Sequence, residues 1–185
     1  MSRMEFVSGA PAIRRVTVMQ GEARASVDPS IEFSTVLGSC VATCLFDPVA
    51  KAGGMNHFLL AEPPSSSDRA KFDEHYGLFL MELLVNEMLS LGASKSRMRA
   101  RLYGGANMRD GLSPIGSANA AFARRFLATE GIPLAFEDLE GRQARRVHLM
   151  PASGKVRCRT AVSEPPPMQK PLERPQSAGG DVELF

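Results

Sequence analysis

The sequence predicts an α+β domain whose sheets carry helices on their faces, and three observations lead there. Two stretches repeat apolar residues at the three- and four-residue spacing of a helix. About eight shorter apolar runs, bounded by turn residues, have the length of strands. Hydrophobic residues make up 44% of the 185-residue chain and charged residues 23%, the usage of an ordinary globular domain.

Taken in chain order, the strands fall near Val16–Met19, Ile31–Val36, Val41–Phe46 and Met55–Leu60. A helix follows over Phe72–Leu91, where Tyr76, Phe79, Leu80, Leu83, Leu84, Met88 and Leu91 mark one face and Gly92 supplies a stop. Met98–Tyr103 returns to strand. Ser117–Glu130 forms a second helix with Ala121, Phe122, Phe126 and Leu127 as its stripe, ended by Gly131. Leu134–Glu137, Val147–Met150 and Val156–Arg159 complete the strands. Beyond Val162 the composition breaks: Pro165, Pro166, Pro167, Pro171 and Pro175 are five of the 13 prolines. Such a segment buries too little apolar surface to offset its ordering entropy. The expected organisation is a flexible N-terminus over 1–12, one domain over 13–162 and a disordered Pro-rich tail over 163–185.

Charge excludes several functions. There are 22 Lys and Arg against 20 Asp and Glu, a net charge of +2, which leaves little footprint for nucleic acid or an anionic membrane. The three cysteines, Cys40, Cys44 and Cys158, are too few for a disulfide framework and suit a reducing compartment. No apolar run reaches the roughly 18–20 residues that span a bilayer. The first residues lack the apolar core of a signal peptide. The expectation is a soluble, cytoplasmic protein that does not insert in membranes.

The chemistry concentrates in LGSCVATCLFDPVAKAGGMNHFLL, Leu37 to Leu60. Gly38-Ser39-Cys40 forms a tight bend between two strand-like runs, and successive backbone N–H groups at such a bend can hold an oxyanion. The chain turns at Asp47-Pro48 and returns through Gly53-Gly54 to His57. That return can set His57 beside Cys40, and a Cys–His pair is the minimal apparatus for nucleophilic attack. The residues alone also allow a second reading, in which Cys40 is a small buried hydrophobe and His57 is structural. Cys44 shares a strand face with Cys40 and is read as core packing. No paired CxxC or second histidine cluster accompanies them, so no metal site is expected. His75 and His148 have no local partner in the sequence. Tyr103-Gly104-Gly105-Ala106-Asn107 is a turn that could bring backbone close to the Cys40 bend. Arg97, Arg99 and Arg101 alternate with apolar residues as one face of a strand.

These motifs resemble the CheD family, the chemoreceptor glutamine deamidases of bacterial chemotaxis. The similarity continues through YGLFLMELLVNEMLSLGA, YGGANM, SPIGSANAAFARRFLATEGIPLAFEDLEGRQARRV and PASGKV, from about Thr17 to Arg159. The resemblance implies a cysteine-hydrolase fold, a β-sandwich flanked by helices. It implies Cys40 as nucleophile and His57 as general base. The family's third catalytic member is a threonine six residues before the cysteine, and that position here is Ser34, with Thr35 the alternative. It further implies a monomeric enzyme with no cofactor, acting on glutamines of chemoreceptor cytoplasmic helices, and a CheC-type phosphatase as a second partner. A non-catalytic adaptor that binds the same partners is the competing function.

Overall fold

The computed structural model describes residues 12–60, 74–107 and 114–161, and both the N-terminal segment and the Pro-rich tail lie outside them. Among the described residues the chain forms β1 (Arg14–Thr17), β2 (Glu22–Ser26), β3 (Ile31–Leu37), β4 (Val41–Asp47), β5 (Ala52–His57) and α1 (His75–Ser90). There follow β6 (Arg99–Gly104), α2 (Ile115–Thr129), β7 (Leu134–Leu139), β8 (Arg145–Met150) and β9 (Lys155–Thr160). The strands make a four-stranded sheet in the order β1-β3-β8-β9 and a five-stranded sheet in the order β2-β5-β4-β6-β7. The α+β expectation holds, with the two sheets packed as a sandwich and both helices on the outer face of the five-stranded sheet.

Side-chain alternation builds these layers. On β4, Ala42 and Cys44 point into the sandwich, where Phe33, Leu37, Met55, Tyr103, Val147 and Leu149 meet them. Val41 and Leu45 point the other way, into a second core shared with Leu80, Leu84 and Met88 of α1 and Phe122, Phe126 and Leu127 of α2. A strand covered on both faces carries a continuous apolar run instead of an alternating one, which is why β4 was conspicuous in the sequence. The outer face of the four-stranded sheet is polar. There Glu32 is 2% exposed and is held by Arg15 at 3.0 Å and Arg157 at 2.9 Å. His148 Nδ1 stands 2.9 Å from the same carboxylate, off the hydrogen-bond line.

Three expectations need correction. β2, with the sequence EARAS, carries no apolar alternation and is not among the expected strands; it is an edge strand defined by pairing with β5. β5 begins at Ala52, earlier than expected, because Gly53 and Gly54 belong to the strand. A Cβ on Gly54 would stand 2.7 Å from a Leu84 methyl of α1 and 3.0 Å from the Arg24 carbonyl of β2, so the helix seats closely over a strand that lacks side chains there. On α1 the buried residues are Gly77, Leu80, Met81, Leu84, Val85 and Met88, while Tyr76 and Phe79 are exposed. Ala121 of α2 is likewise exposed. Among the described residues, no helix is long and apolar enough to cross a membrane.

Candidate active site

The bend at Gly38-Ser39-Cys40 is held from behind. Ala106 N–H donates to the Gly38 carbonyl at 2.9 Å and Gly105 N–H to the Cys40 carbonyl at 2.7 Å. Asn119 Nδ2, from α2, donates to the Ser39 carbonyl at 2.8 Å. All three carbonyls are thus drawn to one side. On the sulfur, burial pushes the Cys40 thiol up to about 11, and the residue's own backbone N–H pulls in the opposite direction. By covalent geometry the Cys40 N–H lies next to its own sulfur, which makes it the candidate donor to an oxyanion formed by thiol attack. Gly104 and Gly105, with φ of +104° and +65°, make the approach possible, and a Cβ on Gly104 would collide with the Cys40 carbonyl. The YGGAN turn therefore supports the cysteine bend.

His57 ends β5 at the same end of the five-stranded sheet as the Cys40 bend, since Val41 bridges Phe58 one residue beyond each. Its imidazole is 7% exposed and lies inside the sandwich. Thr35 Oγ1 donates to the Val18 carbonyl at 2.8 Å and stands 2.8 Å from His57 Nδ1. A hydroxyl has one proton, and a carbonyl can only accept it. Thr35 therefore accepts from Nδ1–H, and the Val18 carbonyl, 3.4 Å from Nδ1, favours the same tautomer. The lone pair is left on Nε2, a buried atom with no hydrogen-bond partner. Burial holds the imidazole below its usual 6.5, with the Val18 carbonyl opposing, so the ring is neutral at pH 7.

The hydroxyl that reaches His57 thus belongs to Thr35, not to Ser34. Ser34 pairs in register with Thr17 and His148 and lies on the outer polar face of the four-stranded sheet, beside Glu32. Thr35, one residue on, faces the sandwich interior with Phe33 and Leu37. Cys44 is fully enclosed between the sheets, where burial pushes its thiol up to about 12. His148 belongs to the Glu32 cluster, and Arg97 pairs with Asp47 at 2.9 Å instead of lining a strand face.

Two participants carried no motif. Asn119, fully buried in α2, also accepts from Leu60 N–H at 2.8 Å and so ties the cysteine bend to the segment after His57. The available signal was an amide side chain within a helix interior, where asparagine is unfavourable without a partner. Gln20 is the other: Cys40 Sγ donates to its Oε1 at 3.5 Å.

A profile of the family described as CheD chemotactic sensory transduction matches residues 59–160. A protein of Zymomonas mobilis subsp. mobilis, named probable chemoreceptor glutamine deamidase CheD, is 52% identical over 176 residues, 93% of each chain. The chain belongs to the CheD family. A Caulobacter sp. (strain K31) protein of the same name is 45% identical over 191 residues, the full length of both chains. A third CheD protein so named, from Cereibacter sphaeroides, is 44% identical over all of this chain and 92% of its own. The CheD profile starts just past His57, whereas the Caulobacter alignment also includes Thr35, Cys40 and His57.

Proposed function

We propose that this chain is a protein-glutamine deamidase of chemotaxis, converting glutamines of chemoreceptor cytoplasmic helices to glutamate through a Cys40 thioester. The names of its relatives support the reaction class, and one observation supports this chain's own part in it. His57 is fixed as the Nδ1–H tautomer by Thr35 and the Val18 carbonyl, with Nε2 unprotonated and free to act as a base.

Nε2 takes the Cys40 proton as sulfur attacks the side-chain carboxamide carbon, and the Cys40 N–H receives the developing oxyanion. Collapse breaks the carbon–nitrogen bond, and Nε2–H delivers its proton to the departing amine, releasing ammonia. Water then attacks the thioester, giving its proton to Nε2. The sulfur leaves as thiolate and takes that proton back. Thr35 keeps the ring oriented while Nε2 is charged, a positioning role. No electron changes hands and no cofactor enters these steps.

Ammonia release from receptor cytoplasmic fragments tests the proposal. The parent protein should release ammonia, and Cys40→Ala and His57→Ala should not. Their double variant should be no slower than either single one, because the pair acts as a unit. A parent protein that bound receptor fragments yet released no ammonia would favour the adaptor reading.

A further inference from the structure

Gln20 occupies the third position of no catalytic motif, yet the fold delivers its side chain to the nucleophile. Met19 to Glu22 form a tight turn between β1 and β2, closed by Glu22 N–H to the Met19 carbonyl at 3.0 Å. Gly21 at its third position has φ of +89°, as a type II turn requires, and donates its N–H to the His57 carbonyl at 2.8 Å. Met19 N–H is bound to the Glu22 carboxylate at 3.1 Å. The turn is therefore pinned to the backbone of the candidate base. From its exposed tip Gln20 extends to Cys40 and accepts the thiol hydrogen bond.

Two facts about this contact belong together. The Cys40 thiol donates to Gln20 Oε1 at 3.5 Å, while His57 Nε2, the proposed acceptor of that proton, is buried with no hydrogen-bond partner. Gln20 also presents a carboxamide, the same functional group as the proposed substrate. We propose that Gln20 is a displaceable latch: its carboxamide occupies the substrate's place and keeps the Cys40 proton from His57 until a receptor glutamine displaces it. The proposal rests on Cys40 being the nucleophile. It assigns Gln20 a positioning role in the resting site and no part in bond making. Displacement would couple arrival of the substrate to formation of the Cys40–His57 hydrogen bond, which limits idle thiol reactivity.

Iodoacetamide alkylation of Cys40, followed by mass spectrometry against pH, tests the latch without any receptor substrate. Removing one neutral hydrogen bond is worth about a threefold to tenfold change, so Gln20→Ala and Gln20→Met should alkylate faster by that factor at neutral pH. Gln20→Met keeps the side-chain length and removes the carboxamide. Gln20→Glu should alkylate more slowly than the parent, because a neighbouring carboxylate disfavours thiolate. The gain in Gln20→Ala should disappear when His57→Ala is added. With receptor fragments, Gln20→Ala should lower KM. Unchanged or slower alkylation in both Gln20→Ala and Gln20→Met would overturn the latch. So would a kcat loss of about a hundredfold in Gln20→Ala, which would make the carboxamide an oxyanion donor. Inertness of the parent protein toward receptors, with these alkylation changes present, would count against the proposed function and leave the latch standing.

Discussion

Because the Thr35 hydroxyl gives its proton to the Val18 carbonyl, its value to His57 is as an acceptor. Thr35→Val keeps the shape and removes that acceptor, leaving Nδ1–H with only the longer Val18 contact. We expect a kcat loss of about a hundredfold, with Thr35→Ser restoring most of it and Ser34→Ala close to the parent. A Thr35→Val protein with parental kcat would separate the hydroxyl from the chemistry. The sequence held Cys40 and His57 in plain view, since a cysteine at a glycine bend followed by a returning histidine is a local pattern. The hydroxyl beside His57 was less accessible, because the resemblance points to Ser34, six positions before Cys40, and Thr35 is its neighbour on the strand. An error of one residue there exchanges the sandwich interior for the outer face. The acidity of His57 belongs to this scale as well. Its pKa lies below 6.5, so kcat/KM should hold as pH falls to about 6.5 and decline below it, as the base becomes protonated. A decline that set in well above that pH would contradict a neutral, depressed imidazole.

At the scale of elements, α2 acts on the site through one amide. Asn119 satisfies Ser39 and Leu60 at once, so Asn119→Ala leaves a carbonyl and an N–H of the bend and the post-β5 segment without their partner. The expected cost is about 3 kcal/mol in denaturant unfolding, with a lower kcat because the bend is released. Parental stability in Asn119→Ala would show that water or a shifted helix replaces the amide. The elements themselves were readable to different degrees. β4 and α2 declared themselves by apolar runs and by period. β2 did not, since EARAS becomes a strand only by pairing with β5, and propensity contains no tertiary pairing. Gly53 and Gly54 read as a break, although here they mark the approach of α1 and of the opposite sheet. The exposed Tyr76 and Phe79 shifted the apparent stripe of α1, because hydrophobicity alone does not say which side of a helix meets the core.

Across the whole molecule, two buried carboxylates, one in each sheet, set the response to acid. Asp47 accepts from Val49, Ala50 and Ser94 N–H and from Arg97, joining the β4–β5 turn to the segment before β6. Burial pushes its carboxyl up, but the Arg97 and backbone hydrogen bonds outweigh burial and hold it at about 2, against 3.8 ordinarily. A depressed folded pKa gives stability that is present above 3.8 and lost as pH falls toward about 2, here about 2 kcal/mol. Asp47→Asn should flatten that part of the stability-against-pH curve in thermal melts, and an unchanged acid slope would place the titration elsewhere. Burial likewise raises Glu32, and the hydrogen bonds from Arg15 and Arg157 outweigh it, so its contribution is lost in acid with the same sign. The Cys40 bend, His57 and the Gln20 turn meet at one end of the five-stranded sheet. What happens to a receptor glutamine at that end decides the Cys40 mechanism. The most direct measurement is mass spectrometry of a chemoreceptor cytoplasmic fragment incubated with the protein in heavy-oxygen water. Glutamate carrying a single heavy oxygen is expected at specific former glutamines with the parent protein, and intact glutamine with Cys40→Ala. Glutamate formed equally by Cys40→Ala would contradict that mechanism.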